Sequence, residues 1–547
     1  MKKQVKSLLV LFLAITMVLA ACSGKKGGTE TGSSAGGEGK TLRLVAASDI
    51  PTMDSSLATD SVSFNVYNQT IEGLYTLDKD DKAVPAIAKG EPKISADGKK
   101  WTIELRDDAK WSNGDKVTAK DFVFAWQRTL DPKTAAEYAY IMYDLKNAEA
   151  VNKGKMKPTE LGVKAVNDTT LEFELEKSKP YFNELLAFGT FLPQNEKFVK
   201  EKGDKFGTTE KDTLYNGPFT LSEWKTEDKF TLSKNDKYYD KDKVKLDKIT
   251  YKVLKDPNSG VNMFTTGKVD RIGLPAEFID KYKKDKNFST ELDASTFFIR
   301  MNQTKNKDLQ NKDLRMALAK SIDKEKYVKN NLNNGSVAID TLMPKDFVKD
   351  ESGKDYVEGV KSPLNFDAEA AKDSLEKAKK TLGKDKFTFE FLTFDSETSK
   401  KDAEYLKEQV ETNLPGVTLK IKQQPFKQKL DLESKGNYEL SLAGWGPDYP
   451  DPMTFLDMFV TDGPHNQTGW SSKTYDKAIE EANGPLLTDV EKRWTTLQDA
   501  ETEFLNEAVI IPIYQRGSAF LTQPYVKNIV SHKFAGDYSF KETSIEK

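Results

Sequence analysis

The sequence predicts an α/β protein, and three observations carry the prediction: a strand–helix–strand run between residues 387 and 421, a helix with readable ends over 117–130, and short alternating strands. Leu42, Leu44 and Ala46 alternate with polar or long residues and begin a strand. Trp101-Thr102-Ile103-Glu104-Leu105-Arg106 alternates as a half-buried strand should, after an Asp97-Gly98 turn signal. From Val117 to Leu130, Phe122, Val123 and Trp126 share one helical face; Thr118 is placed to cap the start, and Asp131-Pro132 stops the end. Asp367 is placed to cap an Ala/Lys/Glu-rich helix that ends near Gly383. Phe387, Phe389 and Phe391 then alternate on a strand, a helical stretch runs from near Thr398 to Leu414, Pro415-Gly416 breaks it, and Val417, Leu419 and Ile421 alternate on the next strand. No short-period repeat is present, which argues against a solenoid or propeller.

Length and charge narrow the function. At roughly 150 residues per domain, 547 residues suggest two to four domains. Lys+Arg is 83 against Asp+Glu 86, a formal charge of −3, which argues against a nucleic-acid binder. One cysteine excludes an internal disulfide and multi-cysteine metal sites, and the only two histidines, His465 and His532, make a histidine metal centre a poor expectation. No metal and no cofactor is expected.

The N-terminus points to export. Lys2, Lys3 and Lys6 precede an apolar run from Leu8 to Ala21, about 14 residues, which suits a signal-peptide core and falls short of the ~20 that span a bilayer. The run ends Leu19-Ala20-Ala21-Cys22, which resembles a bacterial lipobox with Cys22 as the lipidated first residue of the mature chain. Residues 23–40 are Gly, Ser, Thr, Glu and Lys with hardly an apolar side chain, the composition of a flexible tether. The expectation is a signal peptide over 1–21, a lipidated cysteine and tether over 22–40, and a water-soluble body anchored to a membrane surface.

Catalytic patterns are sparse. Gly32-Ser33-Ser34-Ala35-Gly36 matches a serine-hydrolase elbow but falls in the tether, where no strand-to-helix turn exists to strain the serine. Ser321-Ile322-Asp323-Lys324 matches Ser-x-x-Lys without its companion motifs, so a polar helix start is the favoured reading. Asp448 and Asp451 form a carboxylate pair on a proline-rich loop, with nothing else that glycosidic cleavage needs. Asp236, Asp240 and Asp242 miss calcium-loop spacing and read as a solvated cluster. The histidines lack motif partners and are expected at the surface.

The stretch from Tyr438 to Phe455 stands apart. Tyr438 to Ala443 reads as a strand running into Gly444-Trp445-Gly446-Pro447-Asp448-Tyr449-Pro450-Asp451-Pro452. Glycines permit a second backbone to approach, Trp445 offers an apolar wall, and a carboxylate on a stiff loop can pair with an ammonium. These features suit a grip on the amino end of a peptide. They suit equally a strand end, a turn and a buried tryptophan.

A resemblance adds to this reading. Ser95-Ala96-Asp97-Gly98-Lys99-Lys100-Trp101-Thr102, Leu105-Arg106-Asp107-Asp108-Ala109-Lys110-Trp111-Ser112-Asn113-Gly114 and Val117-Thr118-Ala119-Lys120-Asp121-Phe122-Val123-Phe124-Ala125-Trp126 stand in series, followed by Asp131-Pro132. Asn216-Gly217-Pro218-Phe219, the Ala443–Phe455 stretch and Ile511-Pro512-Ile513-Tyr514 come further on. With these the chain, from about Thr41 to near its C-terminus, resembles the extracellular solute-binding proteins of the peptide and nickel family, in particular oligopeptide-binding lipoproteins of bacterial ABC importers.

The resemblance implies a periplasmic-binding-protein-like type II fold: lobe I from 41–72, 194–294 and 518–547, an inserted domain over 73–193, lobe II over 295–517, and a two-strand hinge. It implies a lipid-anchored receptor on the outer face of the cell membrane that binds short peptides, delivers them to the transmembrane subunits of an ABC permease, acts as a monomer and is not an enzyme; the lysine-rich, cysteine-poor body and long tether suit a Gram-positive cell, while a lipobox also occurs in Gram-negative ones. By position, Asp448 matches the acid that pairs with the peptide α-ammonium. Gly444, Trp445 and Gly446 match the strand that adds to the peptide backbone, Thr59, Asp60 and Ser61 the opposite main-chain partner, and Tyr138 and Phe426 the cavity walls. The chain departs from the family where basic residues meet the peptide C-terminus: Leu442 and Glu433 stand there, with Lys435 and Arg516 nearby as substitutes. The rivals are a dedicated receptor for signalling or murein peptides and, in another class, a peptide-processing enzyme or a chaperone.

Overall fold

The computed structural model describes residues 40–547; the expected signal peptide, Cys22 and most of the expected tether lie outside the described residues. Three sheets organise the body. In the first, Thr41–Ala46 pairs parallel with Lys248–Val253, and Lys229–Lys234 and Phe219–Lys225 continue it antiparallel. Leu42 and Leu44 point into the core, as the alternation predicts. The second sheet takes Lys93–Ile94, Lys100–Glu104, Thr170–Glu174 and Val163–Asn167, all antiparallel. Trp101 and Ile103 face inward from it, and helix Ala119–Leu130 packs nearby through Phe122 and Trp126.

The predicted ends of that helix hold. Asp121 Oδ2 accepts from the Thr118 backbone N–H at 2.7 Å, satisfying one of the donors a helix start leaves open. Asp131 stands at the other end, before Pro132.

The third sheet has seven strands and holds the strand–helix–strand unit. Phe387–Phe394 and Val417–Gln424 pair in parallel around helix Glu397–Asn413, with Phe387, Phe389 and Phe391 buried. Upstream, Asp367 accepts from the Ala370 N–H at 3.0 Å, and Gly383 takes the left-handed turn (φ 65°) that ends helix Ala368–Leu382. The strand expected at Tyr438–Ala443 runs instead from Leu440 to Trp445. It pairs antiparallel with Thr296–Met301 and in parallel with Phe391 and Leu392. The antiparallel neighbour carries the ladder past Gly444, a residue that in isolation reads as a strand end.

Two long strands, Phe288–Met301 and Ile510–Thr522, pair antiparallel along most of their length. The expected 294/295 and 517/518 lobe junctions fall inside this pair. Its register shifts between Leu292 and Thr296, so extra residues on one strand bulge at the junction. Gly517 sits opposite that bulge, where a Cβ would come within 2.1 Å of the Gly335 carbonyl carbon, so only glycine fits.

Two expectations are corrected. Both histidines are buried rather than at the surface. His532 Nδ1 lies 3.0 Å from Asp81 Oδ1, and His465 packs among aromatic rings. Ser321 and Lys324, by contrast, behave as the structural reading expects. Ser321 Oγ donates to Leu318 O at 2.8 Å, and the buried Lys324 ammonium pairs with Asp340 and donates to Leu364 O. Among the described residues no helix is long and apolar enough to cross a membrane.

Candidate functional site

The described residues enclose a cavity of about 890 Å³, a volume within the ~300–1,000 Å³ typical of ligand sites. All ten expected site residues line it: Thr59, Asp60 and Ser61 on one wall, Tyr138, Phe426 and Arg516 on others, and Gly444, Trp445, Gly446 and Asp448 along the end of the central strand. Lys435, expected nearby as a substitute cation, does not line it.

The loop that carries Asp448 is fixed from behind. Thr454 takes two bonds from it: its carbonyl accepts from Trp445 Nε1 at 2.9 Å, and its Oγ1 accepts from the Asp448 N–H at 2.9 Å. Asp451 is no catalytic partner for Asp448. It forms a bidentate pair with Arg493, at 2.7 and 2.8 Å, and its Oδ1 also accepts from the Met453 N–H. The carboxylate-pair motif is thus one structural acid and one cavity acid.

The reason for Gly444 also differs from the expected one. Gly444 stands opposite Phe297 on the neighbouring strand, and a Cβ there would meet the Phe297 ring at 2.8 Å. The neighbouring strand therefore demands the glycine, and the exposure of Gly444 on the cavity follows from it.

Tyr138 comes from a short 3₁₀ turn, Glu137–Met142, and reaches across the cavity. Its hydroxyl donates to Asp448 Oδ1 at 3.2 Å, a bond between residues 310 positions apart. Its ring stacks on Trp445, with centroids 6.0 Å apart and an interplanar angle of 10°, and His465 meets both rings edge-on. Phe426 contacts Phe394 edge-on. Asp60 has a local task as well: its carboxylate caps helix Ser61–Thr70, accepting from Ser63 N at 2.8 Å and Ser63 Oγ at 2.9 Å. Burial pushes its carboxyl up to about 6 even so.

Most charges on the wall are matched. Arg128 holds Asp54 through two bonds of 2.6 and 2.7 Å. Arg516 bridges Asp293 at 2.5 Å and Asp537 at 2.9 Å. Among the described residues, three cavity side chains keep a buried polar atom with no hydrogen-bond partner: Asp448 Oδ2, Arg300 Nε and His465 Nε2. Asp448 has no cationic nitrogen within 4.0 Å in any ion pair among those residues. Burial, and then the nearby Asp457 charge, push its carboxyl well above the usual carboxylate range, against the opposing Tyr138 bond. Burial lowers His465 to about 3, so its imidazole is neutral and one ring nitrogen is an acceptor.

The sequence reading missed Arg300, His465, Thr454 and Asp457. One signal was available: Lys429 and Glu433 are four apart on helix Phe426–Ser434, a spacing that pairs charges. They do pair, at 2.8 Å, in the buried wall. Nothing local marks the other four.

A family comparison agrees with this architecture. The chain belongs to the bacterial extracellular solute-binding proteins of family 5, whose model (family 5 Middle) matches residues 82–467. The oligopeptide-binding protein of Bacillus subtilis is 35% identical over 544 residues, covering 96% of each chain. The substrate-binding domain of a Bacillus anthracis oligopeptide ABC transporter superposes with a TM-score of 0.92 at 49% identity, over 93% of this chain and 99% of that one. A peptide-bound oligopeptide-binding protein from Listeria monocytogenes superposes with a TM-score of 0.90 at 44% identity, over 93% and 100%. The fold is therefore that of the type II periplasmic binding proteins, as expected.

Asp457 lies behind the site, with Oδ1 unpartnered and Oδ2 accepting from Tyr449 at 3.3 Å. Burial raises its carboxyl to about 8, above its range in the unfolded chain. The folded state then holds a proton that the unfolded state has released, so this group's stabilisation is full in acid and lost as pH rises toward about 8. Asp457→Asn is expected to flatten the fall in melting temperature over that range. A variant whose melting temperature tracks wild type at every pH would contradict it.

Proposed function

We propose that the protein captures short peptides and hands them to the transmembrane subunits of an ABC permease, performing no chemistry itself. The observation that supports this most is Asp448: a buried carboxylate, facing the cavity, with one oxygen unpartnered and no cation beside it. A buried charge of this kind is costly until paired, and a peptide α-ammonium supplies both the charge and the hydrogen bonds. The central strand ends at the cavity with Gly444, Trp445 and Gly446, in position to offer main-chain groups to an extended peptide. Thr59, Asp60 and Ser61 would meet the peptide from the opposite wall, with Tyr138 and Phe426 as apolar sides. The names of the relatives, which include oligopeptide- and dipeptide-binding proteins, support the same reading.

Closure follows from the same geometry in this reading. The paired strands Phe288–Met301 and Ile510–Thr522 serve as the two-strand hinge between lobe I with its inserted domain and lobe II, and the bulge near residue 293 is where they bend. Tyr138 on the inserted domain and Asp448 with Trp445 on lobe II are the two sides that meet over the ligand. Cys22 carries the lipid that holds the monomeric receptor on the outer face of the membrane, with the tether setting its reach.

The protein should be purified from Ser23 onward, kept native for mass spectrometry, then denatured so that released ligands can be sequenced. A ladder of mixed short peptides supports a general importer. One dominant species would turn the reading toward a dedicated receptor, and turnover of added peptides would refute a non-enzyme.

Asp448→Asn is expected to weaken free-amino peptides at least tenfold, since removing one member of a buried charge pair costs about 2–5 kcal/mol. N-acetylated peptides should lose as much on the wild type and little more on the variant. Equal affinity of both proteins for the free-amino peptide would remove Asp448 from the site. Cys22→Ala is expected to appear in the medium or as an unprocessed precursor, and a normal membrane-bound mature form of that variant would refute the anchor.

A further inference from the structure

Tyr138 and Asp448 meet inside the cavity. The same two parts of the chain, 73–193 and 295–517, also meet at a seam outside it. Lys179 and Tyr181 form one side of this seam, Tyr449 and Asn483 the other, and none of the four lines the cavity. The Lys179 side chain is fully buried, and its ammonium has Asp144 at 3.1 Å on its own side. Across the seam it donates to Asn483, to the backbone carbonyl at 3.4 Å and to the side-chain Oδ1. Asn483 ends helix Lys473–Ala482, where free carbonyls favour a cation. Two residues past Lys179, the Tyr181 ring stacks on Tyr449, with centroids 4.7 Å apart at 15°. Gly484 completes the fit: a Cβ there would come within 2.6 Å of Lys177 Nζ.

The seam is joined to the loop that carries Asp448. Tyr449 is the next residue in the chain. Arg493 Nε donates to Ala482 O at 2.8 Å, at the same helix end that meets Lys179, while Nη1 and Nη2 hold Asp451. Burial works against the Lys179 charge and Asp144 offsets it only in part. A buried pair of this kind is favourable only while further acceptors satisfy the ammonium, and here they come from across the seam.

We propose that Lys179, with Tyr181, is a positioning residue for ligand capture: it fastens the 73–193 segment to Asn483 and Tyr449 as the two sides close, and so sets how long a bound peptide stays without touching it. The proposal rests on the peptide and closure reading above and adds to it a contact that acts alike on every ligand. In the open protein Lys179 keeps Asp144 and regains water; on closing it exchanges that water for Asn483. Apparent affinity scales with the population of the binding-competent form, so whatever closure gains at the seam is added to the hold on any peptide. Removing the ammonium costs the closed form twice, since the bonds to Asn483 are lost and Asp144 stays buried without its ion-pair partner.

The test is stopped-flow dissociation of trialanine and tetra-alanine, read by tryptophan fluorescence because Trp445 stands in the cavity wall. It compares wild type, Lys179→Met, Asn483→Ala and the double variant. Lys179→Met is expected to speed dissociation at least about fivefold, by the same factor for both peptides, with association changing less. Asn483→Ala should act in the same direction and less strongly, because its backbone carbonyl still accepts. The double variant should be little faster than Lys179→Met alone, since both changes remove one contact. Variants that melt earlier yet release both peptides at the wild-type rate would overturn the proposal, because the seam would then be a fixed joint. A factor that differs between the two peptides would also overturn it, because Lys179 would then be acting on the ligand itself. Should Lys179→Met fail to fold, Asn483→Ala and Tyr181→Leu, which removes the stack on Tyr449, decide by the same readout. Failure of wild type to bind either peptide would instead sink the peptide reading, and this proposal with it.

Discussion

Removing a carboxylate from water costs several kcal/mol unless a cation or enough donors replace the solvent, and Asp448 is held in the cavity wall with one weak donor, the Tyr138 hydroxyl, and no cation. Much of the surrounding structure serves to keep it there. Thr454 holds the Trp445 indole and the Asp448 backbone N–H, Arg493 locks Asp451, and Tyr138 and Trp445 wall the carboxylate off from bulk water. Such a site is stable as a protein feature and unsatisfied as a chemical one. In the proposed function the ligand's ammonium completes it, so specificity for a free amino end comes from the cost of leaving the acid alone.

The rest of the cavity follows a different rule. Several of its other acids are spent: Asp54 on Arg128, Asp293 and Asp537 on Arg516, Asp60 on a helix cap. These pairs shape the wall and offer the ligand little. The buried lining groups with an unpartnered polar atom, among the described residues, are Asp448, Arg300 and His465, and they stand on or beside the paired strands Phe288–Met301 and Leu440–Trp445 and the loops that follow them. One rigid sheet thus positions the groups that a ligand would address, while Tyr138 and the Thr59–Ser61 segment come to it from elsewhere in the chain.

The sequence made local structure legible wherever the cause was local. Alternating Phe387, Phe389 and Phe391, the Asp367 cap and the Gly383 stop are visible within a few residues and stand where expected. The central strand was shifted by two residues because its extent is set by its antiparallel partner, which pairs from Leu440 to Trp445, and not by its own alternation. Of the site, Asp448 and the Gly-Trp-Gly stretch stood out by composition, and family resemblance supplied Tyr138, Phe426 and Thr59–Ser61, all of which line the cavity. Arg300, His465 and Asp457 were invisible for one physical reason: burial and missing partners are properties of packing, and no nearby residue announces them. His465 was expected at the surface for want of a motif, and the aromatic rings that bury it come from positions 138, 140 and 445.

The most direct measurement is the proton balance of peptide binding, by calorimetry of the wild type in buffers of different ionisation enthalpy. The free site holds its carboxyl raised, and an ammonium would return it toward the ordinary range near 4. Binding must then release a proton, and affinity must climb with pH until the peptide's own α-amino group begins to deprotonate near 8. His465, at about 3, contributes nothing in that window. Net proton release on binding, with affinity rising from acid, is the predicted result. Binding that is tight, independent of pH and without proton exchange would contradict the account, because Asp448 would then keep one protonation state before and after the ligand arrives.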